Sequence, residues 1–146
     1  MARVARVGDT VFGYCRGEYK VWEHVDDEPI WGEDENGNPI IIGYDPIYDW
    51  VYYEEDGTVT GTINNNGSNV KVNGVSIARI GDSVSLTKHY AHDNHTDPLN
   101  ITGTITSGSN SVKANGQGVA RVGDSVSASG CWGITITSGS NNVNAG

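Results

Sequence analysis

Short runs in which every second residue is apolar alternate along the chain with small clusters of Asn, Gly and Ser. Val70 and Val72, and Ile101 and Ile105, sit at even spacing. Even spacing puts side chains on one face of a strand. Asn73-Gly74 and Asn115-Gly116 read as two-residue hairpin turns, because both residues tolerate φ > 0. Gly67-Ser68 and Gly108-Ser109 mark further turns. The pattern predicts short antiparallel strands.

The pattern also repeats. Residues 70–85 read VKVNGVSIARIGDSVS and residues 112–127 read VKANGQGVARVGDSVS, with eleven of sixteen positions identical. A third copy of the second half, ARVGDTV, spans Ala5 to Val11. A second element recurs as GTINNNGSNV at 61–70, GTITSGSNSV at 103–112 and TITSGSNNV at 135–143. The chain therefore holds three copies of one unit: ARxGD, a variable loop, a TI…GSxxV strand, then xxNG. From the Asp of ARxGD to the next repeat Ile the gaps are 54, 23 and 12 residues. One scaffold carries three loops of very different length.

Composition narrows the fold further. The 146 residues contain 16 Val and 12 Ile but only 2 Leu, 1 Met and 1 Phe, with 20 Gly, 14 Asn and 12 Ser. β-branched residues suit strands and Gly, Asn and Ser suit turns, which argues against a helical bundle or a Rossmann-type enzyme. The expected fold is all-β: one small pseudo-three-fold cone of short antiparallel hairpins around a narrow Val/Ile core. Gly and Ser would permit close backbone approach where it tapers. One Arg and one Asp per unit, Arg6/Asp9, Arg79/Asp82 and Arg121/Asp124, would fix each corner by a side-chain pair or a turn bond.

Lys+Arg is 9 against Asp+Glu 18, a formal charge of −9. That opposes binding to nucleic acid or an anionic membrane. No apolar run approaches the roughly 20 residues of a membrane span. The start lacks the apolar stretch of a secretory signal. The expectation is synthesis in the cytoplasm without a signal peptide, then export within an assembly.

A tapering apex has little interior volume, so something besides apolar burial must hold it. Counted from the Asp of each ARxGD, Cys15 is at +6, His89 at +7 and Cys131 at +7. On a pseudo-three-fold these would converge on the axis. His92 or His95, from the run KHYAHDNH, would complete a tetrahedron. Four N/S ligands in that geometry suit a closed, structural zinc site; His89, His92 and His95 with one cysteine form a competing set, and iron is the alternative metal. In a reducing compartment, metal binding or burial of the two cysteines is expected over a disulfide.

Residues 18–56 are a compositional island with 13 of the 18 acidic residues and 8 of the 12 aromatics. Within it, residues 30–42 predict a hairpin around Asn36-Gly37. The aromatics, Trp22, Trp31, Tyr44, Tyr48, Trp50, Tyr52 and Tyr53, are expected to form a side core or cover the barrel flank; the functional reading is a contact surface. Paired carboxylates such as Asp26/Asp27 are i,i+1 neighbours and point to opposite faces of a strand, which argues against glycosidase chemistry. A phosphate loop and a supported Ser/His/Asp set are absent from the sequence.

The elements ARVGD (5–9), NVKVNGVSIARIGDSVS (69–85), NSVKANGQGVARVGDSVS (110–127) and CWGITITSGSNNV (131–143) resemble the PAAR-repeat proteins. The resemblance covers about residues 1–17 and 57–146 and leaves the acidic island outside. It implies one domain with an insertion at about 18–56. It further implies a β-cone seated on a trimeric β-helical spike, VgrG-like or a phage baseplate spike. The cone sharpens the membrane-piercing tip of a phage tail or a type VI secretion system, with one metal, usually zinc, near its vertex. Cys131 falls where the family often has a vertex ligand. The function so implied is mechanical puncture of a target membrane, without turnover. Two rivals are a zinc hydrolase with Asp93 or Asp97 as general base, and a module that uses the island to bind a surface glycan or a neighbouring spike chain.

Overall fold

Each repeat contributes one antiparallel hairpin to a common barrel. The computed structural model describes residues 2–146. Its strands are β1 (Ala2–Arg3), β2 (Thr10–Glu33), β3 (Pro39–Ile63), β4 (Lys71–Val72), β5 (Val75–Ser76), β6 (Ser83–His89), β7 (Asn100–Ile105), β8 (Lys113–Ala114), β9 (Gln117–Gly118), β10 (Ser125–Ser127), β11 (Cys131–Ile136) and β12 (Asn144–Ala145). The hairpins β2–β3, β6–β7 and β10–β11 close a six-stranded barrel in the order β10-β11-β2-β3-β6-β7. The fold is all-β, as the repeats imply.

The pseudo-three-fold axis is written in backbone hydrogen bonds. Ala5 N–H donates to Ala120 O at 2.9 Å, Ala78 N–H to Ala5 O at 3.0 Å, and Ala120 N–H to Ala78 O at 2.9 Å. The three bonds form a closed ring, one from each ARxGD element. All three alanines are fully buried, so a larger side chain there would have to displace its neighbours.

Each corner is fixed in the same way. The Oδ2 of Asp9, Asp82 and Asp124 accepts the backbone N–H of Arg6, Arg79 and Arg121 at 2.7, 2.8 and 2.7 Å. The same arginines bring Nε to that oxygen at 3.4, 3.4 and 3.0 Å. Both devices expected from the sequence are present at once. Buried Ser68, Ser109 and Ser140 anchor the turn that follows each TI strand, their Oγ accepting the N–H of Val70, Val112 and Val143.

The wide end carries three small two-stranded pairs, β4–β5, β8–β9 and β1–β12. Asn73-Gly74 and Asn115-Gly116 turn the first two with φ of 54° and 78°, and 51° and 80°. The third pair has no connecting turn. Ala2 pairs with Ala145 and Arg3 with Asn144, where Val75 pairs with Val72 and Ser76 with Lys71. The two chain ends thus complete the ring of repeats. Val72, Ala114 and Ala145 are buried beneath these pairs with Val4, Ile77 and Val119. Val70 does not share the face of Val72: it precedes the two-residue β4, in the serine-anchored turn, and stays exposed.

The barrel narrows away from this end. The first inward positions are all β-branched: Val11, Ile63, Val84, Ile105, Val126 and Ile136. Two residues further along each strand stand Gly13, Gly61, Leu86, Gly103, Ala128 and Ile134. A Cβ on Gly13 would lie 2.6 Å from Ile134, and one on Gly61 would strike the Ser85 carbonyl. At this level only Leu86 and Ile134 carry side chains larger than a methyl.

The acidic island is the outer part of the β2–β3 hairpin. Its strands pair from Thr10↔Thr62 out to Glu33↔Pro39, with bulges between His24 and Asp26 and between Ile30 and Trp31. The turn at 34–38 is organised by Asp34, whose carboxylate accepts the N–H of Asn36 and Asn38 at 2.9 Å each. Those bonds hold the Asp34 carboxyl below the ordinary carboxylate range. At about 3.3 Å per residue, positions 17–33 extend about 55 Å from the barrel. The expected hairpin forms, but its aromatics do not cover the barrel flank. The barrel is closed and offers no free edge to pair with.

Candidate functional site

The narrow end gathers most of the unusual chemistry. Cys15 and Cys131 are joined in a disulfide that spans 116 residues of sequence. This corrects the expectation of thiolate ligands or unlinked buried thiols. Cys15 is the third inward residue of β2, and the β2–β11 register sets Cys131 directly opposite it.

The third inward residue of β6 is Lys88. It lies at +6 from Asp82, as Cys15 lies at +6 from Asp9. His89, at +7, therefore points outward, since successive strand residues face opposite sides. His89 Nε2 lies 2.8 Å from Thr60 Oγ1 on the outer surface. Cys131 still faces the axis at +7, because residues 128–130 form the turn between β10 and β11.

Lys88 is 6% exposed, and its Nζ donates to Asp97 Oδ2 at 2.7 Å. Burial is the largest influence on the Asp97 carboxyl and would raise it, but the bond and charge of Lys88, with a bond from its own backbone and one from His95, together hold that group below its ordinary value. The loop between β6 and β7 folds back over this pair. Tyr90 stacks on His95 with centroids 3.8 Å apart. His95 is 4% exposed, donates from Nε2 to Glu55 Oε1 at 2.6 Å, and brings Nδ1 to 3.5 Å from Asp97 Oδ1. His92 donates to the same Glu55 from its backbone at 3.1 Å and from Nδ1 at 2.8 Å, and its ring stacks on Tyr19. Desolvation pushes the Glu55 carboxyl up, but the two histidines overcome it and bring it down to about 2. Burial, with the charges of Asp97 and Glu55, pushes the Tyr90 phenol up to about 12. Tyr90 OH, His95 Nδ1 and Asp97 Oδ1 are buried without a hydrogen-bond partner.

The five candidate ligands are therefore dispersed. Cys15 and Cys131 bond each other, His89 faces outward, and His92 and His95 are committed to Glu55. Among the described residues, no group of three or more His, Cys, Asp or Glu side chains is arranged to hold a metal. As placed, these residues do not fit a tetrahedral N/S site. Asp97, one candidate base of the hydrolase reading, is taken up by Lys88.

Sequence reasoning missed Lys88, Glu55, Tyr90 and Asp97 as members of one cluster. Glu55 lies in the acidic run at the foot of the ribbon, and only the β2–β3 register brings it to the apex. The parity of Lys88 with Cys15 was the available signal.

The ribbon presents a second surface. On one face Trp22 meets Trp50 edge-on at 5.3 Å, Tyr48 stacks on Trp22, and Lys20 Nζ lies 4.3 Å from the Trp50 ring centre. Trp22 and Trp50 remain 56% and 40% exposed. The only cationic residue between positions 18 and 56 is Lys20, against 13 carboxylates.

Residues 95–146 match the family model described as PAAR motif. No curated protein and no solved structure matches the chain. The matched segment holds the last ARxGD corner and the strand pairs around it, which the other two repeats reproduce about the alanine ring. The match covers about a third of the chain and shows that this segment carries a PAAR motif, the motif that the three repeats resemble.

Proposed function

We propose that this protein caps a trimeric β-helical spike, VgrG-like or of a phage baseplate, with its wide end, and leads the spike into a target membrane with its narrow end. The work is mechanical and involves no turnover. One observation carries the reading: the closed ring of Ala5, Ala78 and Ala120 gives a single chain the symmetry of a trimer. Three equivalent turns at the wide end present Val70, Val112 and Val143, the first two exposed. An apolar patch in triplicate suits a three-chain partner. The setting is a virion tail tip or a secreted spike complex.

Co-expression with a trimeric β-helical spike tests this. One tip chain per three spike chains is expected. Val70→Asp with Val112→Asp should abolish capture and leave the melting temperature nearly unchanged, since both side chains are exposed. Capture that survives the double change would overturn the seating.

The exposed aromatic face favours a second role for the ribbon as a contact surface, since Tyr and Trp faces are strong anchors. Replacing 18–56 by an Asn-Gly turn separates the roles. Spike capping should persist, while attachment to the target, read by infectivity or secretion, should fall.

A further inference from the structure

We infer that the narrow end of this cone is closed by a covalent cross-link and a buried ion pair in place of a metal ion. The inference is independent of spike seating and rests on where the side chains stand. The position of β6 that matches Cys15 on β2 carries Lys88, and its ammonium points inward. A metal ion there would face a buried positive charge already neutralised by Asp97 at 2.7 Å. The two sulfurs are bonded to each other, and a disulfide lacks the thiolate that binds metal. The histidines that could replace them are spent on Thr60 and Glu55.

The cross-link also sits where a staple is needed. β2 belongs to the first repeat and β11 to the last, so their pairing is the seam at which the ring of repeats closes. At the wide end β1 and β12 hold that seam with two paired residues each. At the narrow end the disulfide holds it. Closing the bond removes one proton and one electron from each thiol. A small-molecule or protein disulfide takes up both electrons and both protons by thiol–disulfide exchange, becoming two thiols.

The wild-type protein, purified without added metal, decides the matter. The expected results are an intact mass two hydrogens below the reduced chain, and less than about a tenth of an equivalent of metal. EDTA should leave the melting temperature unchanged. A phosphine reductant should lower it by about 10 °C or more, the scale of losing a long-loop cross-link in a chain of this size. Zinc added to the reduced protein should not restore it. Stoichiometric metal, two free thiols, a shift with EDTA, or rescue by zinc would each overturn the inference. None of these readouts involves a spike partner, so spike seating can fail or stand separately.

Discussion

The β2–β3 hairpin runs through two environments, and the contrast between them explains the protein. From Thr10 to Arg16 the strand β2 has β11 on one side and β3 on the other. There its inward residues are small or β-branched and its outward ones polar or aromatic. Beyond Val21 the named pairing of β2 is with β3 alone. There Trp, Tyr, Asp and Glu fill both faces and most remain exposed. The same two strands thus build a core in one half and a free ribbon in the other. Backbone pairing is common to both halves, so pairing does not create the core. Closure of three hairpins around one axis does. A two-stranded ribbon alone in water is marginal, so the outer half depends on its root.

That root is the apical cluster. Tyr19 forms a bridge pair with His95, Thr96 N–H donates to Glu18 O at 2.9 Å, and Lys20 N–H donates to Asn94 O at 3.2 Å. The β6–β7 loop therefore acts as a short third strand at the foot of the ribbon. Glu55 ties it from the other side.

Matched substitutions in the two halves should differ most. Ile105→Asp buries an unpaired charge in the first ring of the barrel and should leave no folded protein, read by loss of the cooperative melt. Ile41→Asp, in the exposed ribbon, should fold normally. Equal damage from both would erase the difference between core and ribbon. Next in size, Ala120→Leu overpacks the axis where three fully buried alanines meet and should cost about 1–3 kcal/mol in denaturant unfolding. A neutral result would show that the axis is not close-packed.

Acid should act on the root before the core. The folded Glu55 carboxyl lies at about 2 against an ordinary 4.5, so its contribution is complete above about 4.5 and is lost as pH falls toward 2. Asp97 is lowered as well and acts in the same direction. Amides of residues 92–96 should gain hydrogen exchange relative to the barrel between pH 5 and pH 3, after correction for intrinsic rates. Glu55→Gln should show that loosening already at pH 6. Uniform loosening of barrel and loop would merge the two regions. The smallest effect is expected on the ribbon face. Trp22→Ala should change global stability by less than about 0.5 kcal/mol, because the residue is more than half exposed.

The legible parts of the sequence were those that repeat or are local. Three ARxGD elements specified three corners, and two Asn-Gly pairs specified two turns. Asn36-Gly37 marked the end of the ribbon, and the wealth of Gly and Ser pointed to close backbone approach at the taper. Counting from the conserved spacing within the repeats failed at the apex for a simple reason. Positions +6 and +7 lie on opposite faces of a strand, so Cys15 and His89 could not both face the axis in equivalent strands. The pairing of Cys15 with Cys131 is set by a register between the first and last hairpins, 116 residues apart. The expectation that the island's aromatics would cover the barrel flank failed beyond the foot of the ribbon, because a closed barrel offers the outer strands no edge to pair with.

The sequence by itself determined the unit, its number and its turns, because strand alternation and φ > 0 preferences act over a few residues. Only the tertiary structure decided which side chains share the apex, because closing a ring sets neighbours by register and not by order along the chain. Lys88 meets Asp97, His95 meets Glu55 and Cys15 meets Cys131 only after three hairpins have closed on one axis.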